Sequence, residues 1–218
     1  MLIKICGLRE PENIREIAAL QPDYMGFIFY QNSPRFAKNL DVGLLNALPA
    51  SIKKAGVFVN ENLENILTCI HKYDLDAVQL HSADNKKLCL EIKEEAKTMV
   101  IKVFPIMASY NLKVTKDYED AADLFLFDTK TDLHGGSGQK FNWNILHDYQ
   151  GEKNFLLSGG ISADDVKAIR KIEHPRMIGV DLNSKFEIRP GLKNAALIRQ
   201  FIEELNKPKE KNDDEQNK

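Results

Sequence analysis

Two hydrophobic periods take turns along this chain. Short apolar runs, dense in β-branched and aromatic residues, read as buried strands at Leu2–Cys6, Tyr24–Tyr30, Ile52–Val59, Ala77–Leu80, Met99–Phe104, Leu124–Phe127, Phe155–Leu157 and Met177–Val180. Between them, apolar positions recur three and four residues apart. The segment 10–20 carries Ile14, Ile17, Ala18 and Leu20 at helical spacing, and 61–73 carries Leu63, Ile66, Leu67 and Ile70 on one face. Further helices are predicted over 42–48 behind an Asp41 cap, over 84–96, weakly up to Ala122, from a Ser162 cap to Lys171, and over 194–205. Eight strands alternating strictly with helices, about 25 residues per repeat, argue for a parallel sheet closed on itself. The predicted class is α/β, a single (β/α)8 TIM barrel spanning residues 1–206. A doubly wound open sheet is the alternative, but no glycine fingerprint follows the first strand. The segment 207–218, KPKEKNDDEQNK, has no apolar residue beyond its proline and is expected to be a disordered, solvated tail.

Composition narrows the function classes. A net charge of -2 over 218 residues gives no electrostatic case for nucleic acid or a membrane surface as partner. No apolar stretch approaches the roughly 20 residues that span a bilayer. Lys4 and Arg9 interrupt the short apolar run at the N-terminus, unlike a signal peptide. The three cysteines, Cys6, Cys69 and Cys89, are odd in number and lack metal-ligand spacing, which fits a reducing, cytoplasmic setting and no metal. The expected partner is a small-molecule substrate, with the chain a monomer or homodimer.

In such barrels chemistry gathers where strands end. Residues 123–138, DLFLFDTKTDLHGGSG, run from an aromatic strand into Asp128 and then into Gly135, Gly136 and Gly138. A carboxylate at the end of a buried strand costs several kcal/mol unless paired, and clustered glycines let backbone N–H groups converge on an anion. The competing reading is a strand cap and a flexible turn. Gly159 and Gly160 after the seventh strand, and Asn183 and Ser184 after the eighth, fall where barrels commonly hold a phosphate; a tight strand-to-helix turn would also use Gly159–Gly160. Cys6 ends the first strand. An unshifted thiol is only about 3% thiolate at pH 7, so a base there needs a nearby cation. Lys4, two residues back on the same face, is a candidate to supply one from beneath. A buried core cysteine is the alternative, and Cys69 and Cys89 fit it. Arg35, in Ser33-Pro34-Arg35-Phe36, has the fork to clamp a carboxylate. His81 reads as a structural strand-end histidine.

In this order, these motifs resemble the phosphoribosylanthranilate isomerase family over nearly the whole length up to the tail. The residues that carry the resemblance are Lys4-Ile5-Cys6-Gly7-Leu8, Gly26-Phe27-Ile28-Phe29 leading to Ser33-Pro34-Arg35-Phe36, Val78-Gln79-Leu80-His81, Leu126-Phe127-Asp128 with Gly135-Gly136-Ser137-Gly138, Ser158-Gly159-Gly160, Gly179-Val180-Asp181 and Pro190-Gly191. The resemblance implies a barrel that converts N-(5-phosphoribosyl)anthranilate into 1-(2-carboxyphenylamino)-1-deoxyribulose 5-phosphate by an Amadori rearrangement, in tryptophan biosynthesis. It implies Cys6 as general base, Asp128 as general acid, Arg35 on the anthranilate carboxylate, and the loops around Gly136, Gly159, Gly160, Asn183 and Ser184 on the phosphate. The reaction needs no cofactor, because an iminium intermediate is its own electron sink. Asp128 has to hold its proton near neutral pH, so burial is expected to raise its pKa. The chain departs from the commonest family pattern at Ser82, where glycine often follows Leu-His, and at Asn183-Ser184-Lys185, where Ser-Ser-Gly is more usual.

Competing readings are another sugar-phosphate barrel, such as an epimerase or a histidine-pathway isomerase, and a barrel that only binds a sugar phosphate. The histidine-pathway enzyme pairs two aspartates, whereas the first strand here ends in cysteine. A Schiff-base aldolase would have to use Lys102, which precedes the end of its strand.

Overall fold

The computed structural model describes residues 1–81, 86–107, 111–129 and 140–208. Eight parallel strands close into a barrel in sequence order: β1 Leu2–Cys6, β2 Tyr24–Ile28, β3 Lys53–Phe58, β4 Ala77–Leu80, β5 Met99–Ile106, β6 Leu124–Thr129, β7 Phe155–Leu157 and β8 Met177–Leu182. The pairing fixes the levels inside it. A circuit that starts at Cys6, follows the register and climbs one residue per strand passes Phe27, Val57, Leu80, Val103, Phe127, Ser158 and Leu182 and returns to Cys6. That closure is the signature of a barrel with a shear of about 8. Odd strands therefore send Cys6, Val57, Val103 and Ser158 inward at one level. One residue below, the even strands send in Gly26, Gln79, Leu126 and Asp181, and one residue above, Ile28, His81, Asp128 and Asn183.

Beneath these layers Ala55, Ala77, Ile101, Leu124 and Leu156 pack together as an apolar cluster, and Lys4 is the charged side chain buried at that depth. The outward faces are larger and more aromatic. Phe27, Phe125, Phe127 and Phe155 are wholly buried under the outer layer, and Phe127 meets Phe155 at 4.8 Å between ring centres. That layer comprises α1 Pro11–Ala18, α2 Val42–Asn46, α3 Leu63–Tyr73, α4 Lys86–Ala96, α5 Val166–Ile169 and α6 Ala195–Asn206. Asp41, Asn62 and Asn194 cap α2, α3 and α6 through side-chain oxygens. At the N-terminal rim one device is used three times. Asp23, Asp76 and Asp123, each just before an even strand, accept the backbone N–H of Ile3, Lys54 and Val100 on the preceding odd strand.

The elements differ from the sequence reading where the pattern is weakest. The segment before β6 is a 3-10 helix over Leu112–Tyr118, and another, Trp143–Asp148, fills the space before β7. β6 and β8 run two residues further than their apolar runs, so Asp128 and Asp181 lie within strands. After β8, a 3-10 turn Ser184–Phe186 leads into a small hairpin, β9 Glu187–Arg189 and β10 Leu192–Lys193, turned at Pro190–Gly191. Strands of two and three residues carry no readable period. Of the expected tail, 209–218 lies outside the described residues.

Candidate active site

Cys6 points into the mouth of the barrel and is 3% exposed. Its sulfur has room because β2 offers glycine there: a Cβ on Gly26 would come within 2.8 Å of Sγ. Gly7 then turns the chain with φ +80, and both Gly7 and Leu8 donate their backbone N–H to the Gly26 carbonyl. A Cβ on Gly7 would lie 2.8 Å from Arg35 Cδ and 2.9 Å from Asn183 Oδ1. A glycine at this position thus lets three separate loops converge beside the thiol.

Under the thiol lies a buried ion pair. Lys4 Nζ donates to Asp181 Oδ1 at 2.8 Å, with the two side chains 0% and 5% exposed. The Asp181 Oδ2 accepts from Ser158 Oγ at 3.4 Å. Burial pushes the Cys6 thiol up from its ordinary pKa, against the pull of the Lys4 ammonium. Burial also pushes Asp181 up, against Lys4. Lys4 itself is opposed by burial, yet Asp181 and Cys6 hold its proton above the ordinary lysine value. The cation expected beneath Cys6 is therefore present, but a carboxylate shares it.

Asp128 stands in the layer above Cys6, one residue or about 3 Å nearer the mouth. Its Oδ1 accepts the Thr129 backbone N–H at 2.8 Å. Gly159, with φ +91, packs so closely that a Cβ would overlap Thr129 and lie 3.0 Å from Asp128 Oδ1. On the other side, His81 Nε2 lies 3.6 Å from Asp128 Oδ2, both side chains 20% exposed. Asp128 is thus less enclosed than the sequence reading expected, and His81 is its neighbour in the mouth.

Arg35 is also at the site, but its fork is occupied. Nε and Nη2 donate to both oxygens of Glu187, at 2.7 to 3.1 Å. Glu187 accepts in turn from Lys193 Nζ at 2.8 Å and from the Gly191 N–H at 3.0 Å. Despite burial, Arg35 and Lys193 hold the Glu187 carboxyl below its ordinary pKa, and burial pulls Lys193 below its own. Lys193 also donates to Asn183 Oδ1 at 2.7 Å, which turns the Asn183 amide oxygen inward.

Of the predicted residues, Cys6, Asp128, Arg35, Gly159, Gly160, Asn183 and Ser184 all come to the C-terminal rim of the barrel. Gly160, like Gly159, has a positive φ, so both glycines turn their backbone as only glycine does readily. Gly136 and its neighbours lie outside the described residues. Lys102 faces outward, 5.1 Å from the Tyr118 ring, away from the mouth, which removes the Schiff-base alternative. Sequence reasoning missed Asp181, Glu187 and Lys193. Asp181 had a signal in its place at a strand end; the other two lie on the hairpin that no periodicity announces. A hollow of about 550 Å3 opens elsewhere, lined in part by Phe29, Phe58 and Tyr73, and none of the predicted residues lines it. Among the described residues, no helix is long and apolar enough to cross a membrane.

Residues 3–204 match the family described as N-(5'phosphoribosyl)anthranilate (PRA) isomerase. An N-(5'-phosphoribosyl)anthranilate isomerase of Parabacteroides distasonis is 44% identical over 210 residues, covering 95% of each chain. Among solved structures, the phosphoribosyl anthranilate isomerase of Thermotoga maritima superposes with a TM-score of 0.82 at 31% identity, over 94% of this chain and 98% of that one. Another, an isomerase in complex with reduced 1-(o-carboxyphenylamino)-1-deoxyribulose 5-phosphate, does so with 0.78 at 28%, over the same shares. A further one comes from a Thermotoga maritima isomerase described as dimeric and turned into monomers, with 0.77 at 28% over the same shares.

Proposed function

Because this chain belongs to the N-(5'-phosphoribosyl)anthranilate isomerase family, we propose that its Cys6 and Asp128 carry the two proton transfers of that reaction. The protein is an aldose-ketose isomerase of tryptophan biosynthesis, acting on the small molecule N-(5'-phosphoribosyl)anthranilate. The observation that supports the residue assignment most is the layering: the thiol and the carboxyl project into one mouth from successive levels.

Asp128, protonated, donates to the furanose ring oxygen as the C1–O bond breaks. The anilinic nitrogen supplies the electron pair, and an iminium forms. Its positive nitrogen acidifies the proton on C2. Cys6, as thiolate, takes that proton, and the electron pair moves to nitrogen as an enolamine. Tautomerisation to the ketone completes the product. Each acid-base group contributes about 10²–10⁴-fold. Arg35 meets the anthranilate carboxylate through Nη1, the guanidinium nitrogen outside the Glu187 pair. Backbone N–H groups around Gly159, Gly160, Asn183 and Ser184 hold the phosphate. The Asn183 side chain supports Lys193 and is not a phosphate ligand in this scheme. The enzyme works in the cytoplasm.

Loss of the anthranilate fluorescence signal of freshly made phosphoribosylanthranilate is the direct assay. Turnover in the wild type and its loss in both Cys6→Ala and Asp128→Asn support the assignment. Wild-type turnover in either variant overturns that residue's role.

A further inference from the structure

Asp181 has two features that a structural ion pair does not require. Its carboxylate sits one residue below the thiol that the scheme above makes the base, and Lys4, one residue lower still, faces inward beneath both groups. Lys4 Nζ is 2.8 Å from Asp181 Oδ1, and its charge bears on the Cys6 thiol, which lies two residues up the same face of β1. The other Asp181 oxygen is fixed by Ser158 of the seventh strand's end. The cluster spans three strands and is almost closed to solvent: Lys4 is 0%, Cys6 3%, Asp181 5% and Ser158 6% exposed.

Such a cluster poses a charge problem. A thiolate made by releasing the Cys6 proton to bulk water would place a second anion beside Asp181, against one ammonium. A buried net charge is strongly disfavoured. The same thiolate is obtained at constant net charge if its proton stays inside. We propose that Asp181 is the proton acceptor behind Cys6. Lys4 Nζ first passes one proton to Asp181 Oδ1, its N–H bond breaking, and the amine lone pair so freed turns to the thiol and takes the proton as the S–H bond breaks. Lys4 remains an ammonium, the thiol becomes a thiolate, and the carboxylate becomes a carboxylic acid. The charged or titratable groups that bear on this cluster are Lys193 of the hairpin, whose cation favours the thiolate, and Asp128, whose carboxyl acts on Asp181. Burial raises the proton affinity of Asp181, as an acceptor requires, and that of Cys6 as well, which Lys4 and Lys193 oppose.

The proposal rests on Cys6 being the base, and two readouts keep the two ideas apart. One is kcat and KM with phosphoribosylanthranilate. The other is the rate of Cys6 alkylation by iodoacetamide between pH 6 and 9, followed on the Cys6 peptide by mass spectrometry, which does not depend on turnover. The variants are Lys4→Met, Asp181→Asn and the double variant, which removes both charges together and so leaves no buried ion unpaired. A working relay behaves as one unit. Each single variant is expected to lower kcat at least 10-fold with KM within about 3-fold, and the double variant to be no worse than the poorer single one. Alkylation at neutral pH is expected to slow in all three. If Asp181 were only an anion repelling the thiolate, Asp181→Asn would speed alkylation, and that result overturns the relay. Losses in kcat that multiply in the double variant overturn it as well. Slower alkylation with kcat unchanged would leave the relay standing and remove Cys6 as the base.

Discussion

Arg35 and Glu187 meet as a fork across 152 residues of chain, Nη2 to Oε2 at 2.7 Å and Nε to Oε1 at 2.9 Å. The side chains are 8% and 4% exposed. Glu187 also neutralises Lys193, whose side chain is wholly buried. One carboxylate thus holds two buried cations, and the cost of removing either side is unequal. Glu187→Ala strands both cations and is expected to destabilise by about 3–5 kcal/mol. Arg35→Ala leaves Glu187 with Lys193 and the Gly191 N–H, and is expected to cost less. Urea unfolding of the two variants gives the comparison. In the kinetic assay, Arg35→Ala is expected to raise KM more than it lowers kcat, as for a group that binds the anthranilate carboxylate throughout. Equal stability losses would mean the hairpin is held by something other than Glu187.

Cys6→Ala and Asp128→Asn address the proton transfers. Each is expected to lower kcat by about 10²–10⁴-fold. Neither removes a large side chain, and in Asp128→Asn the amide oxygen can still accept the Thr129 N–H that the carboxylate accepts now. Circular dichroism and thermal melting should therefore match the wild type within a few degrees. Loss of activity together with loss of fold would make these residues structural.

These groups differ in how far the sequence announced them. Cys6, Asp128, Gly159 and Gly160 terminate apolar runs with clear periods, so their place at the strand ends was legible. The barrel was legible for the same reason, since eight such runs alternate with helical segments. Arg35 was legible as a residue, but its partner was not. Glu187 and Lys193 sit on strands of three and two residues around Pro190–Gly191, too short for any period. The Lys4–Asp181 pair joins residues 177 apart and depends on barrel closure, which fixes their register only after the last strand folds onto the first. Lys102 and Lys4 read alike as lysines within apolar strands. Alternation alone separates them, turning Lys4 inward and Lys102 out under Tyr118.

Gly159 couples backbone geometry to Asp128. Its φ of +91 is costly for any other residue, and a Cβ would overlap Thr129 and crowd Asp128 Oδ1. Gly159→Ala is therefore expected to destabilise by about 1–3 kcal/mol and to lower kcat as well, by displacing the acid. If this turn also holds the phosphate, inorganic phosphate should inhibit the variant more weakly than the wild type. A variant with normal kcat and normal phosphate inhibition would place both functions away from this turn.

At high pH the buried thiols contribute to a loss of stability. Burial raises the Cys89 thiol to about 11, and Cys89 is 0% exposed. Cys6 moves in the same direction for the same reason, and Tyr149 is pushed up to about 12. A group whose folded pKa lies above its unfolded value binds its proton more tightly when folded. Its contribution is complete below the unfolded pKa, about 8.5 for a cysteine, and is lost as pH rises through the folded one. For Cys89 the window runs from about pH 9 to pH 11, and its share of the loss is about 2–3 kcal/mol. Denaturant unfolding at pH 8 and at pH 11 is expected to show the wild type losing more stability than Cys89→Ala by that amount. The variant starts lower at pH 8, because Ala leaves a small cavity under α4, but its curve should be flatter. A wild-type curve that stays level to pH 11 would mean the thiols meet solvent in the folded protein, contrary to their burial here.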